Sequence, residues 1–399
     1  MGNFSTDEVA IQRFLNRAVE NAYPTKEKLG EVLRSKQITA YVGIDPTGPT
    51  LHLGHVIWLR KLAELQKLGH RVIMLIGDFT AMIGDPTDKT ATRQRLSRGE
   101  ILVNCQRYKQ QASKFLSFDG LNAAELKFNN EWLGQMSFGD VVELASHFTV
   151  QQMLERDMFE KRINEGKPVG LHEFLYPLMQ GYDSVAMEVD LEIGGNDQTF
   201  NMLAGRTLLR EMKQKEKSVL TLKLLTDPTG KKMGKSEGNM VAFTDSSEDM
   251  YGKVMSWTDG MILPAFELCT DLSDVEIQEM REQIEKGENP MIYKRRLAKE
   301  IVRLFLSDEA AEAAEAYFTR VHSEGEKPEE MQNFELKAQN AKLIEVLAES
   351  GIVSSKAEAR RQVEQGGVKV NDEVVKDIQT EVKAGDVIQK GKRHFVKLV

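Results

Sequence analysis

The chain has 399 residues, of which 41% are hydrophobic and 29% charged, with a net charge of −8. That length exceeds one ordinary core and implies two or three domains, and the composition excludes a disordered or fibrous protein. No run approaches the ~20 apolar residues of a membrane-spanning helix, and the acidic balance argues against a protein that coats nucleic acid. Two cysteines, Cys105 and Cys269, exclude a disulfide framework or a four-ligand zinc site.

From the N-terminus no basic leader precedes an apolar core, so a reduced, cytoplasmic setting is expected. Segments 7–22 and 26–36 have helical apolar spacing. Residues 37–45 read as a β-rich run stopped by Pro46-Thr47-Gly48-Pro49-Thr50. A long helix is expected over 53–68, ended by Gly69, followed by an apolar run over 71–77 of the kind buried in a parallel sheet. Strand, loop, helix and strand in this order make a βαβ unit, which predicts an α/β first domain. The alternation returns as a strand over 188–193, a loop Gly194-Gly195-Asn196-Asp197-Gln198 and a helix over 199–213. Residues 130–183 and 245–320 have mainly helical spacing, 323–340 has the acidic composition of a linker, and two short helices and several short strands follow it.

Two motifs point to phosphate chemistry. His52-Leu53-Gly54-His55 opens the long helix, where backbone N–H groups attract anions. His52 and His55 stand on one side of that turn, and each imidazole can donate to phosphate oxygens. Gly54 lets a flat ring such as adenine approach the backbone. The second motif, Lys232-Met233-Gly234-Lys235-Ser236, is a cationic loop suited to closing over a triphosphate as pyrophosphate leaves.

In this order and spacing the two motifs resemble the HIGH and KMSKS signatures of class I aminoacyl-tRNA synthetases. Tyr41-Val42-Gly43-Ile44-Asp45-Pro46-Thr47, Ile83-Gly84-Asp85-Pro86, Tyr176-Pro177-Leu178-Met179-Gln180-Gly181-Tyr182-Asp183 and Gly194-Gly195-Asn196-Asp197-Gln198 are similar to the bacterial tyrosyl-tRNA synthetase family over nearly the whole chain. The resemblance implies a Rossmann-like parallel-sheet catalytic domain over 1–240 with a helical insertion at about 130–183. An all-α domain over 241–322, a linker over 323–340 and a small α+β S4-like RNA-binding domain over 341–399 follow.

The same resemblance assigns roles. Tyr41 and Asp183 are expected to hold the substrate hydroxyl, and Asp85, Tyr176 and Gln180 its ammonium. Tyr176, Gln180 and Asp183 follow i, i+4, i+7 spacing, so one helical face presents all three. Thr47, His52 and His55 are expected to bind the transition state, with Lys89 and Arg93 meeting Lys232, Lys235 and Ser236 across the pyrophosphate. Gly54, Gly195 and Asp197 are expected at the nucleotide, Asp197 on the ribose, and Gln198 beside the reacting carboxylate. Asp45 is an expected active-site carboxylate of open contact, Asn130 a further site residue, and Val42 replaces a cysteine that reaches the ribose in some relatives. Implied partners are L-tyrosine, ATP with Mg²⁺ as substrate, tRNA(Tyr) and a second copy of the chain, with no tightly bound cofactor, no protein-held metal and no membrane.

Residues 341–399 hold 11 Lys and Arg against 9 Asp and Glu, so the acidic excess lies elsewhere. In this tail Lys356, Arg360 and Arg361 share a helix opened by a Ser355/Glu358 capping pattern, and Lys390, Lys392 and Arg393 add charge on a strand. These six are the expected RNA contacts, reading shape and phosphate more than sequence. Two rivals stay open at this level: another HxGH-type nucleotidyltransferase, which leaves the lysine loop and the tail unexplained, and a synthetase-derived RNA-binding protein without catalysis, which leaves the intact motifs unexplained.

Overall fold

The computed structural model describes residues 4–85, 96–227, 229, 240–323, 331–336, 340–353, 355–391 and 394–399. It divides into two compact units, Met1–Ala311 and Glu312–Val399.

The first unit is built on one six-stranded sheet: β1 (Val19–Tyr23), β2 (Thr39–Ile44), β3 (Arg71–Ile76), β4 (Glu125–Phe128), β5 (Leu191–Gly195) and β6 (Ser218–Leu222). Their spatial order is β1-β6-β5-β2-β3-β4, all parallel except the β1–β6 pair. β3 is buried from Val72 to Ile76 and β6 along its whole length, which fits a sheet covered on both faces. From β2 the chain winds outward through β3 and β4, then returns to the other side of β2 for β5 and β6. The carboxyl ends of β2 and β5 therefore flank a topological switch point, where open α/β sheets form their ligand crevice.

Helix Leu53–Lys67 connects β2 to β3, and Gly69, at φ 85°, follows its end. Helices Leu171–Met187 and Thr199–Lys213 flank β5. They approach closely at Gly181 and Gly205: a Cβ on Gly205 would lie 3.2 Å from Gly181 Cα. Residues 130–187 are mainly helical, and so are residues 247–318.

The structure corrects two expectations in this unit. The first helix covers only Glu8–Asn16, and Val19–Tyr23 is an edge strand rather than further helix. Ala18 takes φ 59° between them, and the Arg17 guanidinium donates to the carbonyls of Glu267 and Thr270, which fixes where the chain turns. Pairing with β6 then overrides local helical spacing. β5 starts at Leu191, because the preceding helix continues to Met187 and Glu188 closes it in the left-handed region.

The second unit packs helices Leu343–Glu349 and Lys356–Glu364 on small sheets through Leu343, Leu347, Val363, Val368, Ile388 and Val396. The larger sheet orders strands Glu373–Val375, Val368–Val370, Val387–Lys390, His394–Leu398 and Gln332–Phe334. Asn371 and Asp372 both take positive φ at the hairpin turn, a conformation these side chains tolerate. Part of the stretch expected to be linker is thus a strand, Gln332–Phe334, paired in parallel with His394–Leu398. Main-chain pairing needs no apolar run, and Phe334 and Leu336 pack on the core of this unit.

Candidate active site

The crevice at the β2/β5 switch point encloses a cavity of about 430 Å³. On one side stands the start of helix Leu53–Lys67. His52 Nδ1 accepts the Gly54 N–H at 3.2 Å, and His55 Nδ1 accepts the His52 N–H at 2.9 Å. The two histidines therefore cap their own helix. An Nδ1 that accepts carries no proton, so each neutral ring bears its hydrogen on Nε2 and keeps it as a donor. Burial holds His52 down at about 4, and His55 lies well below its ordinary value through burial and its neighbour His52. Both are neutral at pH 7 and both line the cavity.

Val241 accepts the Leu53 N–H at 2.9 Å, and Leu51 accepts the Phe243 N–H at 2.9 Å. The segment after the lysine motif is thereby tied to the histidine motif. Lys232, Lys235 and Ser236 lie outside the described residues, as do Lys89 and Arg93.

The opposite wall comes from helix Leu171–Met187, whose Tyr176, Gln180 and Asp183 all line the cavity. Tyr176 donates to Asp45 Oδ2 at 2.8 Å, and Thr80 donates to Asp45 Oδ1 at 2.7 Å, so the contact left open for Asp45 is with these two hydroxyls. Asp183 is 3% exposed and accepts from Trp132 Nε1 at 2.8 Å and Asn129 Nδ2 at 3.3 Å. Burial drives its carboxyl well above the carboxylate range against both donors, and nearby Glu192 pushes the same way. Asp85 accepts from Gln198 Nε2 at 2.6 Å and Arg156 at 3.2 Å. Gly54, Gly195, Asp197 and Gln198 complete the lining at the helix start and the end of β5.

Three placements differ from expectation. Tyr41 is fully buried behind the wall, its hydroxyl 2.9 Å from Ser184 Oγ, because β2 turns it into the cluster of Ile73, Leu75 and Val189. Thr47 is exposed on the loop after β2 and is not part of the lining. Asn129, not Asn130, reaches the cavity; the Asn130 N–H is spent on Asp78. Sequence reasoning also missed Thr80, Trp132, Arg156, Ser184, Glu192, Asn201 and Lys217. A charged residue inside a buried strand run, as Glu192 is, was the one available signal.

In the second unit Lys356, Arg360 and Arg361 are exposed on one helix whose buried side carries Ala359 and Val363. Lys356 meets Glu345 at 2.8 Å, and Lys390 donates to the Ile352 carbonyl at 3.0 Å, which ties Lys390 to its own fold. Lys392 and Arg393 lie outside the described residues.

Among the described residues no helix is long and apolar enough to cross a membrane, and no group of three or more His, Cys, Asp or Glu could hold a metal ion.

By fold and site the first unit is a doubly wound α/β domain, with a helix N-terminus facing an acidic wall across the switch point. The profile described as tRNA synthetases class I (W and Y) matches residues 33–323, and the S4 domain profile matches residues 342–388. The chain belongs to that synthetase family and carries an S4 domain. It is 44% identical to the tyrosine–tRNA ligase of Thermotoga maritima, over 97% of this chain and 96% of that one. It is likewise 44% identical to the tyrosine–tRNA ligase of Geobacter sulfurreducens, over 98% and 96%. Among solved structures, the fold matches the tyrosyl-tRNA synthetase of Archaeoglobus fulgidus complexed with L-tyrosine, with TM-score 0.61 and 23% identity over 77% of this chain and 99% of that one. A C-terminally truncated mitochondrial tyrosyl-tRNA synthetase of Coccidioides posadasii matches with TM-score 0.61 and 24% identity, over 77% and 94%.

Proposed function

We infer that the chain is a tyrosine–tRNA ligase, which activates L-tyrosine with ATP and transfers it to tRNA(Tyr). The observation that carries this reading is a single cavity with the His52/His55 cap on one side and the Tyr176–Gln180–Asp183 face on the other.

In the first step a tyrosine carboxylate oxygen attacks the α-phosphate of ATP, and the bond to pyrophosphate breaks. No protein nucleophile is needed, so catalysis is positioning and charge stabilisation. The Nε2–H groups of His52 and His55 and the positive helix end serve the developing phosphate charge. Lys232, Lys235, Ser236, Lys89 and Arg93 are assigned to the departing pyrophosphate from their motifs alone, Thr47 is assigned with His52 and His55 to the transition state by resemblance, and Mg²⁺ enters as the counter-ion of the ATP phosphates. Gly54 and Gly195 admit the nucleotide, and Asp197 takes the ribose.

Asp183 takes the substrate hydroxyl, with Tyr41 behind it. Asp85, Tyr176 and Gln180 take the ammonium, and Gln198 the side of the carboxylate. Phenylalanine would leave the buried hydroxyl partners unsatisfied. In the second step a ribose hydroxyl at the tRNA end attacks the adenylate carbonyl and AMP leaves. Lys356, Arg360 and Arg361 contact tRNA phosphates, and Lys390, Lys392 and Arg393 belong to the same proposal.

A homodimer in the cytoplasm is part of this reading. The helical segment exposes Phe138 at 84% and Leu171 at 81%, large apolar groups that a second copy would cover. Sedimentation as a monomer would contradict that part. The function itself is tested by charging purified tRNA(Tyr) with labelled tyrosine: ester-linked tyrosine is expected, and ATP-dependent tRNA charging with tryptophan alone would refute it.

A further inference from the structure

The chemistry above does not use a charge pair at the acidic wall, of which Glu192 lines the cavity and Lys217 lies behind it. Lys217 precedes β6 and Glu192 lies on β5; both side chains are almost completely buried, and the Lys217 ammonium donates to Glu192 Oε2. It also donates to Ser184 Oγ at 2.7 Å. Space for it exists because helix Thr199–Lys213 carries Gly205, where a Cβ would come within 2.7 Å of Lys217 Nζ and 2.9 Å of Ser184 Oγ.

Two hydrogen-bond paths lead from this pair to the cavity wall. Gln180 Nε2 donates to Glu192 Oε1 at 3.1 Å, while Asn201 Nδ2 donates to Gln180 Oε1 at 3.0 Å. The amide of Gln180 is thereby fixed, with its oxygen as the group that accepts. Along the second path Ser184 Oγ donates to Glu192 Oε2 at 3.3 Å and stands 2.9 Å from the Tyr41 hydroxyl. With Lys217 donating to Ser184 and Ser184 donating to Glu192, the remaining lone pair of Ser184 accepts a hydrogen bond from the Tyr41 O–H.

We propose that Lys217 and Glu192 are positioning residues for amino-acid selection, one buried pair that orients Gln180 directly and Tyr41 through Ser184. An acceptor-only carboxylate is what makes both orientations unique, and a buried carboxylate persists there because an ammonium compensates it. A neutral amide at position 192 could donate as well as accept and would leave the Gln180 amide free to flip. Burial pulls the Lys217 ammonium below its ordinary value, and Glu192 opposes that shift, which fits a pair each of whose members depends on the other.

The inference rests on the tyrosine reading of the cavity, and the test separates the two. Lys217→Met combined with Glu192→Gln removes both charges together and avoids a lone buried ion. In pyrophosphate exchange this double variant should raise the tyrosine KM about tenfold and lower the tyrosine-over-phenylalanine ratio of kcat/KM by a similar factor, consistent with loss of oriented neutral hydrogen bonds. Its ATP KM should stay at the native value. Ser184→Ala, which cuts the path to Tyr41 and leaves Gln180 on Glu192, should lower the same ratio, and it decides the matter if the double variant does not fold. An unchanged ratio in a folded variant, or equal rises in the tyrosine and ATP KM, would overturn the proposal. Native protein that fails to exchange with tyrosine would instead overturn the reading beneath it.

Discussion

The Nδ1 atom of His55 accepts the backbone N–H of His52 at 2.9 Å, as His52 Nδ1 accepts the Gly54 N–H, so backbone donors of the helix start fix the tautomer of both histidines. Their Nε2–H donors are fixed before substrate arrives. His52→Asn keeps a good N-cap and loses the ring donor. Adenylate formation should slow by roughly 100-fold, the scale of losing one preorganised donor, with the tyrosine dissociation constant almost unchanged. Rapid quench with equilibrium binding checks this; equal losses in rate and binding would assign His52 a structural role.

The same burial sets a stability window. His52 is held at about 4 and His55 well below its ordinary value of 6.5. Between those values the unfolded chain binds protons that the folded chain excludes. The contribution of the neutral pair is therefore complete above pH 6.5 and is lost as pH falls from there through about 4. Melting temperature should drop across that window, and less so in His52→Asn. Identical slopes for the two proteins would contradict the burial argument.

Asp183 sits between the donors of Trp132 and Asn129, so its two oxygens are already oriented. Asp183→Asn misplaces one of those donors and Tyr41→Phe removes the hydroxyl on Ser184. Each should weaken tyrosine use by about 1–3 kcal/mol while the ATP KM holds. Steady-state exchange with varied tyrosine measures it, and normal tyrosine use by both variants would move the specificity elsewhere.

Much of the parallel sheet is legible in the sequence because β2, β3 and their helix carry strong apolar periodicity, and the face of Tyr176, Gln180 and Asp183 is visible in spacing. β1 and Gln332–Phe334 are not, since edge strands owe their existence to main-chain pairing with β6 and His394–Leu398, far away in the chain. Trp132, Asn129, Ser184 and Lys217 carry no local periodic mark; they meet only through tertiary packing, with helix Leu171–Met187 held against helix Thr199–Lys213 at Gly181 and Gly205. Tyr41 marks another limit: period-two alternation says which face a residue takes, not whether its hydroxyl ends inside the cavity or behind it.

The two compact units divide the chain near residue 311, so ending it at His322 leaves the first unit whole. Pyrophosphate exchange should survive that truncation and tRNA charging should collapse. Removing Lys356, Arg360 and Arg361 should also flatten the salt dependence of tRNA binding, by ~0.7 to 0.9 in slope for each phosphate they neutralise. Charging that survives intact would free the S4 domain of this role, and loss of exchange would show that the catalytic unit extends further.

The most direct measurement is ATP–pyrophosphate exchange on the native chain with each of the twenty amino acids in turn. It needs only the first unit, one nucleotide and one small substrate, and it reads the cavity without tRNA. Strong exchange is expected with L-tyrosine and little with phenylalanine or tryptophan. Exchange driven by tryptophan or by any other amino acid, with none from tyrosine, would contradict the assignment of this cavity to tyrosine.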